Sequence, residues 1–266
     1  MHGDGHEQIY HLHEKYGPLI RIQPNEVAIN DIEHYLESIY TQNTKFTKAP
    51  SYYNAFDFPR SNVFSETSRE VHSQEKRLMS HAFSRKNVVG MQDTFYDSVE
   101  RWVAQIKASI SKGNPIPLWH DTQCLKLETA SRFSYGSSDG ALKTDNFAHP
   151  IFLGIEGFAP SVVVFQHFPI VRHIAMLAQR LMPSGLPDIN KGAAEGLVRL
   201  RERKLSGETA GMIIFDSMMG KAQSKGINLD PDRLVSNGGL MLIAGEVLLN
   251  AMHHVNEGEA NKKRIE

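Results

Sequence analysis

His72-Ser73-Gln74-Glu75-Lys76-Arg77-Leu78-Met79-Ser80-His81-Ala82-Phe83-Ser84 sets two basic side chains at helical spacing on a segment that turns apolar farther along. Just before it, Thr67-Ser68-Arg69-Glu70 fits a capping box, with Thr67 as N-cap and Glu70 three residues on. One continuous helix is therefore expected over residues 67–84. His72 and Lys76 stand at i and i+4 and share a face, which Met79 and Phe83 continue. A solvated basic pair ordinarily sits opposite the apolar stripe. A pair on the apolar side suits a buried anion, although a lysine packed along its own stem would give the same spacing. Arg77 lies about 100° round from Lys76, on the side of Arg69 and Ser73.

Upstream, Ile9, Leu12, His13 and Tyr16 recur at helical spacing, and Gly17-Pro18 ends the run. Residues 19–23 and 26–30 read as two strands around a Pro24-Asn25 turn, and Asp31 caps a helix running to Tyr40. Residues 46–66 interleave six aromatics with Pro50 and Pro59, so a long loop with short helical pieces is expected. Downstream, helices are expected over 91–112, 121–135, 150–182 (divided at Pro169), 188–205 and 211–222. Another starts at Asp230-Pro231-Asp232 and is expected to run through Gly245 and to be mostly apolar all round up to Leu249. The sum is mainly α with a small N-terminal β-sheet, an α-rich α+β arrangement.

The chain has 266 residues, 41% of them apolar, enough for one large core. A net charge of -1 leaves no broad basic surface for nucleic acid. The single cysteine, Cys124, excludes an internal disulfide, and its helical setting suits a buried structural thiol. No apolar run reaches the ~20 residues of a membrane span, and Met1 to His6 has no signal-peptide pattern. The chain as given is thus expected to be soluble and intracellular. Of the 13 histidines, His11 and His13, and His253 and His254, diverge rather than converge, so no metal cluster is expected. No Walker loop, dinucleotide fingerprint or nucleophile elbow occurs. Gly192-Ala193-Ala194-Glu195-Gly196 reads as a helical run of small residues rather than a phosphate loop.

The string from His72 to Ser84 resembles the helix that grips heme propionates in fungal-type cytochrome P450 monooxygenases. Leu240-Met241-Leu242-Ile243-Ala244-Gly245 resembles the start of that family's oxygen-binding helix. Tyr16-Gly17-Pro18-Leu19-Ile20-Arg21-Ile22 resembles its first helix running into its first strand, and Phe152 to Pro169 the segment that roofs its substrate pocket. These likenesses fall in the family's order across residues 7–245, its N-terminal half. The resemblance implies a partial fold of that family over residues 1–246, ending within the oxygen-binding helix, and a non-matching tail over 247–266. It implies heme as cofactor, with His72, Lys76, Arg77, Ala244 and Gly245 toward it. Tyr52, Tyr53, Phe56, Phe64, Phe158, Val162 and Leu242 would face an apolar small-molecule substrate. An electron-donating reductase is the implied partner, and intact relatives are typically anchored at the endoplasmic reticulum.

The departures are also specific. Lys76 stands where the family usually has Arg, so a bidentate fork becomes a point charge. Glu246-Val247-Leu248-Leu249 follows Gly245, where the family has an acid and then Thr. The family's Glu-x-x-Arg pair is matched only by Glu66-Thr67-Ser68-Arg69, in the wrong place, and the Cys ligand loop is absent. Thiolate donation is what favours O–O cleavage at this heme type. The expectation is therefore an N-terminal fragment of a heme monooxygenase, inactive as given. The alternative is a non-catalytic truncated paralogue that binds heme, a hydrophobe or a protein partner and self-associates through exposed apolar surface.

Overall fold

A computed structural model describes residues 4–41, 44–57, 60–144, 147–181, 189–207 and 213–244. The chain divides into two units, residues 1–48 and 49–266. In the first, the expected amphipathic run forms α1 (Gly5–Tyr16), which stops where Gly17 takes φ 91° and donates its N–H to the His13 carbonyl at 2.9 Å. Strands β1 (Leu19–Gln23) and β2 (Glu26–Ile29) pair antiparallel, Leu19 opposite Ile29 and Arg21 opposite Val27. Arg21 closes the turn by donating to the Pro24 carbonyl at 2.8 Å. Helix α2 (Ile32–Ile39) follows.

The second unit opens with α3 (Pro50–Tyr53) and a 3-10 turn (Asn54–Phe56), the short helical pieces expected in the aromatic loop. Then come α4 (Arg69–Met79), α5 (Arg85–Gly90), α6 (Gln92–Ser111), α7 (Leu118–Tyr135), α8 (Pro150–His167), α9 (Pro169–Leu181), α10 (Ile189–Leu205), α11 (Ile214–Ser224) and α12 (Pro231–Ile243). The fold is thus α-rich with a two-stranded sheet at its start.

Helix α7 is the axis of the core, with α6, α10, α11 and α12 packed against it. Its Cys124, Leu127, Ala130, Phe133 and Tyr135 are buried together with Ile214, Phe215 and Met218 of α11. Tyr135 stacks on Phe215, centroids 5.4 Å apart and planes 9° apart. The run of small residues in α10 now has a physical reason. A Cβ on Gly196 would stand 2.7 Å from the Tyr135 ring, so only glycine lets α10 approach so closely. Gly136 ends α7 in the left-handed region at φ 71°.

Two expectations are corrected here. The N-cap of α4 is Ser68, not Thr67: its Oγ accepts from the Val71 N–H at 3.4 Å. Glu70 accepts from the Ser68 hydroxyl at 3.1 Å, and the Ser68 N–H donates to Glu66 from upstream at 2.7 Å. Residues 67–84 also do not form one helix. Helix α4 ends at Met79, and Asn87 of α5 donates its amide to the His81 carbonyl at 2.5 Å, fixing a turn at 80–83. Phe83 therefore leaves the face of α4 and meets Phe133 of α7 edge-on at 5.7 Å.

Helix α12 starts as expected, Asp230 accepting from the Asp232 N–H at 2.9 Å with Pro231 in the first turn. Its buried residues, however, are Ser236, Asn237, Gly238, Gly239 and Leu242, so it is not apolar all round. The earlier turns are polar where they meet the loop over 60–66, Ser236 accepting from the Arg60 N–H and Asn237 from the Val63 N–H. The expected continuation to Leu249, and the tail 247–266, lie outside the described residues. No helix among the described residues is long and apolar enough to cross a membrane.

Candidate functional site

Helix α4 carries His72 and Lys76 one turn apart on one face. His72 is half-buried, and Lys76 is exposed with no partner for its ammonium among the described residues. Arg77 folds back on its own helix, its Nε donating to the Ser73 carbonyl at 3.1 Å. An imidazole and an ammonium one turn apart on one helix face can both donate to a single anion.

A second feature was not anticipated from sequence. Glu75, on the neighbouring face of α4, is buried and meets Arg233 of α12: Nε donates to Oε1 at 2.8 Å, and Nη2 stands 2.8 Å from Oε2. The second contact is an ion pair whose angle falls outside that of a directed hydrogen bond. Arg233 Nη1 also donates to Glu66 Oε2 and to Ser61 Oγ, both at 2.7 Å. Asn237, one turn on, accepts from the Val63 N–H at 2.7 Å and reaches Glu75 Oε1 at 3.4 Å. Ser236 accepts from the Arg60 N–H at 3.1 Å. One guanidinium thus ties α12 to α4 and to the loop over 60–66.

The charges respond accordingly. The two carboxylates around it hold Arg233 further toward the charged form, Glu75 contributing most and outweighing burial. Burial works to raise the Glu66 carboxyl, but bonds from Arg233, the Ser68 N–H and Ser61 outweigh it and hold it below the usual range. Asp57, beside the same loop, is raised by burial, and its Oδ1 is buried with no hydrogen-bond partner among the described residues. A sequence signal for this cluster did exist. Glu75, Leu78, Met79 and Ala82 follow i, i+3, i+4, i+7, so an acid sits on an apolar stripe, and Arg233, Ser236 and Asn237 repeat the spacing in polar residues.

The expected substrate residues separate into groups. Tyr52, Tyr53, Phe56 and Phe64 form one ring cluster, with centroids of Tyr52–Tyr53 5.2 Å apart, Tyr53–Phe64 5.5 Å and Phe56–Phe64 5.2 Å. Helix α8, which bears buried Val162, packs on the 3-10 turn of this cluster, and its Gln166 reaches the Tyr52 carbonyl at 3.5 Å. The side chain of Phe158 lies outside the described residues. Leu242 is elsewhere, in the core, 3.8 Å from where a Gly192 Cβ would stand on α10. Ala244 is half-buried and follows α12 as its cap, while Gly245 lies outside the described residues.

Cys124 is fully buried in α7, within 3.4 Å of the Phe147 carbonyl, and burial pushes its thiol up to about 11. That rules against a reactive thiolate there. Glu66, the acid of the Glu66-Thr67-Ser68-Arg69 spacing, accepts from Arg233 and from the Ser68 N–H. No cluster of metal-ligating side chains occurs among the described residues.

No family model matches the chain. Curated relatives do. Cytochrome P450 monooxygenase macH of Penicillium terrestre is 28% identical over 161 residues, covering 60% of this chain and 31% of its own length. Cytochrome P450 monooxygenase aneF of Aspergillus aculeatus is 25% identical across 97% of this chain and 55% of its own length. Cytochrome P450 monooxygenase claJ of Penicillium crustosum is 28% identical across 86% of this chain and 53% of its own. The chain is similar to fungal cytochrome P450 monooxygenases. It spans about half the length, or less, of these cytochrome P450 relatives.

Proposed function

We propose that residues 7–245 form the N-terminal portion of a cytochrome P450-like heme monooxygenase and supply the propionate side of its heme cradle. The observation that carries this is the pair on one face of α4, His72 half-buried and the exposed Lys76 ammonium without a partner among the described residues, next to the strut to α12. Carboxylates fit that pair by charge and by hydrogen-bond count, because the imidazole and the ammonium both donate. Arg77 bonds its own helix and is a weaker candidate than Lys76.

In this assignment Ala244 and Gly245 border the oxygen side of the heme. The ring cluster of Tyr52, Tyr53, Phe56 and Phe64, with Phe158 and Val162 of α8, walls an apolar substrate. Heme with a thiolate ligand would supply oxygen activation, with electrons from a reductase. The chain's own contribution is to bind the propionates, orient the ring edge and exclude water from the aromatic side. The thiolate is assigned outside these 266 residues, since Cys124 is locked in the α7 core. These residues alone are therefore a non-catalytic half.

The test is a hemin titration of the purified chain and of a variant carrying His72→Ala and Lys76→Ala. Charge-assisted hydrogen bonds contribute about 1.5–3 kcal/mol each, so the variant should bind at least tenfold more weakly. Equal affinity would place heme contact elsewhere.

A further inference from the structure

We infer that Arg233 is a positioning residue for the anion-binding face of α4, a role that rests on the heme assignment above. Helix α4 has no rigid continuation: it stops at Met79 and gives way to a turn. What fixes its roll about its own axis must come from sideways contacts. Leu78 and Met79 bury into the core and α11 packs along α4, and to this Arg233 adds directed hydrogen bonds from α12. Glu75 immediately precedes Lys76 and follows His72 by three residues, so the angle at which Glu75 is held sets the direction of both donors.

Glu75 is held by Arg233 at 2.8 Å and by Asn237 at 3.4 Å, both from α12. Nη1 of Arg233 donates to Glu66 and Ser61, which lie in the loop leading into the N-cap of α4. Glu66 in turn accepts from the Ser68 N–H at that cap, at 2.7 Å. Arg233 therefore bonds α4 at two points, the loop at its cap and its second turn, and α12 carries both. The cluster holds two carboxylates against one guanidinium, with side chains 10%, 9% and 19% exposed. Such an excess of buried negative charge is a costly way to make a core, since paired apolar residues of similar volume often serve as well or better. The directional bonds are what an apolar replacement would not reproduce.

The experiment is a double-mutant cycle on hemin affinity in the full chain, read beside thermal unfolding. Arg233→Lys keeps the charge and loses the fork. It should unfold near the wild-type midpoint yet bind hemin about tenfold more weakly. In the Lys76→Ala background the same substitution should cost less than about twofold, because the donor it positions is gone. Equal losses in both backgrounds, or no loss in either, would overturn the inference and leave the heme assignment standing. A wild-type chain that takes up no hemin overturns both. Should Arg233→Lys fail to fold, the combined Glu66→Gln/Glu75→Met/Arg233→Met variant replaces it, removing both carboxylates with the guanidinium so that α4 meets α12 by packing. Hemin affinity within twofold of wild type in that variant would overturn the inference, and a loss that vanishes without Lys76 would uphold it.

Discussion

Helix α12 is held on one side by charge and on the other by fit. Toward α4 and the loop over 60–66 it presents Arg233, Ser236 and Asn237, and the joint consists of directed bonds of 2.7–3.4 Å. Toward α7 and α10 it presents Gly238 and Leu242, and the joint consists of absent side chains. A Cβ on Gly238 would stand 2.5 Å from the Tyr135 hydroxyl and 3.0 Å from the Ala193 Cβ. The first joint sets angle and register, because a fork bonds only in one orientation. The second sets distance, because close packing rejects any added atom. His72 and Lys76, the donors proposed for the anion, lie on α4 beside the directional joint.

Removing the charge from the first joint should have the largest effect. Arg233→Met leaves Glu66 and Glu75 as buried carboxylates without a cation, at a cost of about 3–5 kcal/mol. Denaturant unfolding at neutral pH measures it, and a loss below about 1 kcal/mol would mean that water already compensates the cluster. Adding one carbon to the neighbouring joint, where α10 meets α7, comes next. Gly196→Ala pushes a Cβ onto the Tyr135 ring, and overpacking of this kind costs about 1–3 kcal/mol. A neutral result would show that α10 is free to slide.

Acid separates the two joints. The Glu66 carboxyl is lowered in the fold relative to its ordinary value of 4.5. Its contribution is therefore fully present above that value and is lost as pH falls through the depressed folded pKa. Glu66→Gln should flatten the stability profile in that acid range, whereas Gly196→Ala should shift the profile without changing its shape. A parallel shift from Glu66→Gln would contradict the charged joint. Smallest of all is Tyr135→Phe. The Tyr135 hydroxyl is buried with no hydrogen-bond partner among the described residues, so deleting it should be neutral or slightly stabilising. A loss of more than about 1 kcal/mol would reveal a bond the hydroxyl makes.

Much of the architecture could be read from periodicity. The β-hairpin, the break at Pro169, the Asp230-Pro231 start and the small-residue character of α10 all follow from local chemistry. The errors share one cause. Thr67 and Ser68 are equally good caps in isolation, and Glu66 decides between them only through its bond to the Ser68 N–H. The break at Ser80 depends on Asn87, which a helical pattern running through Phe83 conceals. Arg233 and Glu75 are 158 residues apart, and nothing local pairs them. The aromatic cluster was visible as composition, but that its four rings meet in one place is a property of the folded loop. Cys124 was legible as a structural thiol, and its burial bears that out.

The central claim is that α4 holds an anion through His72 and Lys76, and that the anion is a pair of heme propionates. Titrating the chain with hemin and, separately, with hemin dimethyl ester tests it most directly. The ester keeps the ring and iron and loses both carboxylates. The account predicts that hemin binds at least about tenfold tighter than the ester. The difference should shrink toward unity in the His72→Ala/Lys76→Ala variant. Equal affinity for hemin and its ester in the wild-type chain would contradict the claim.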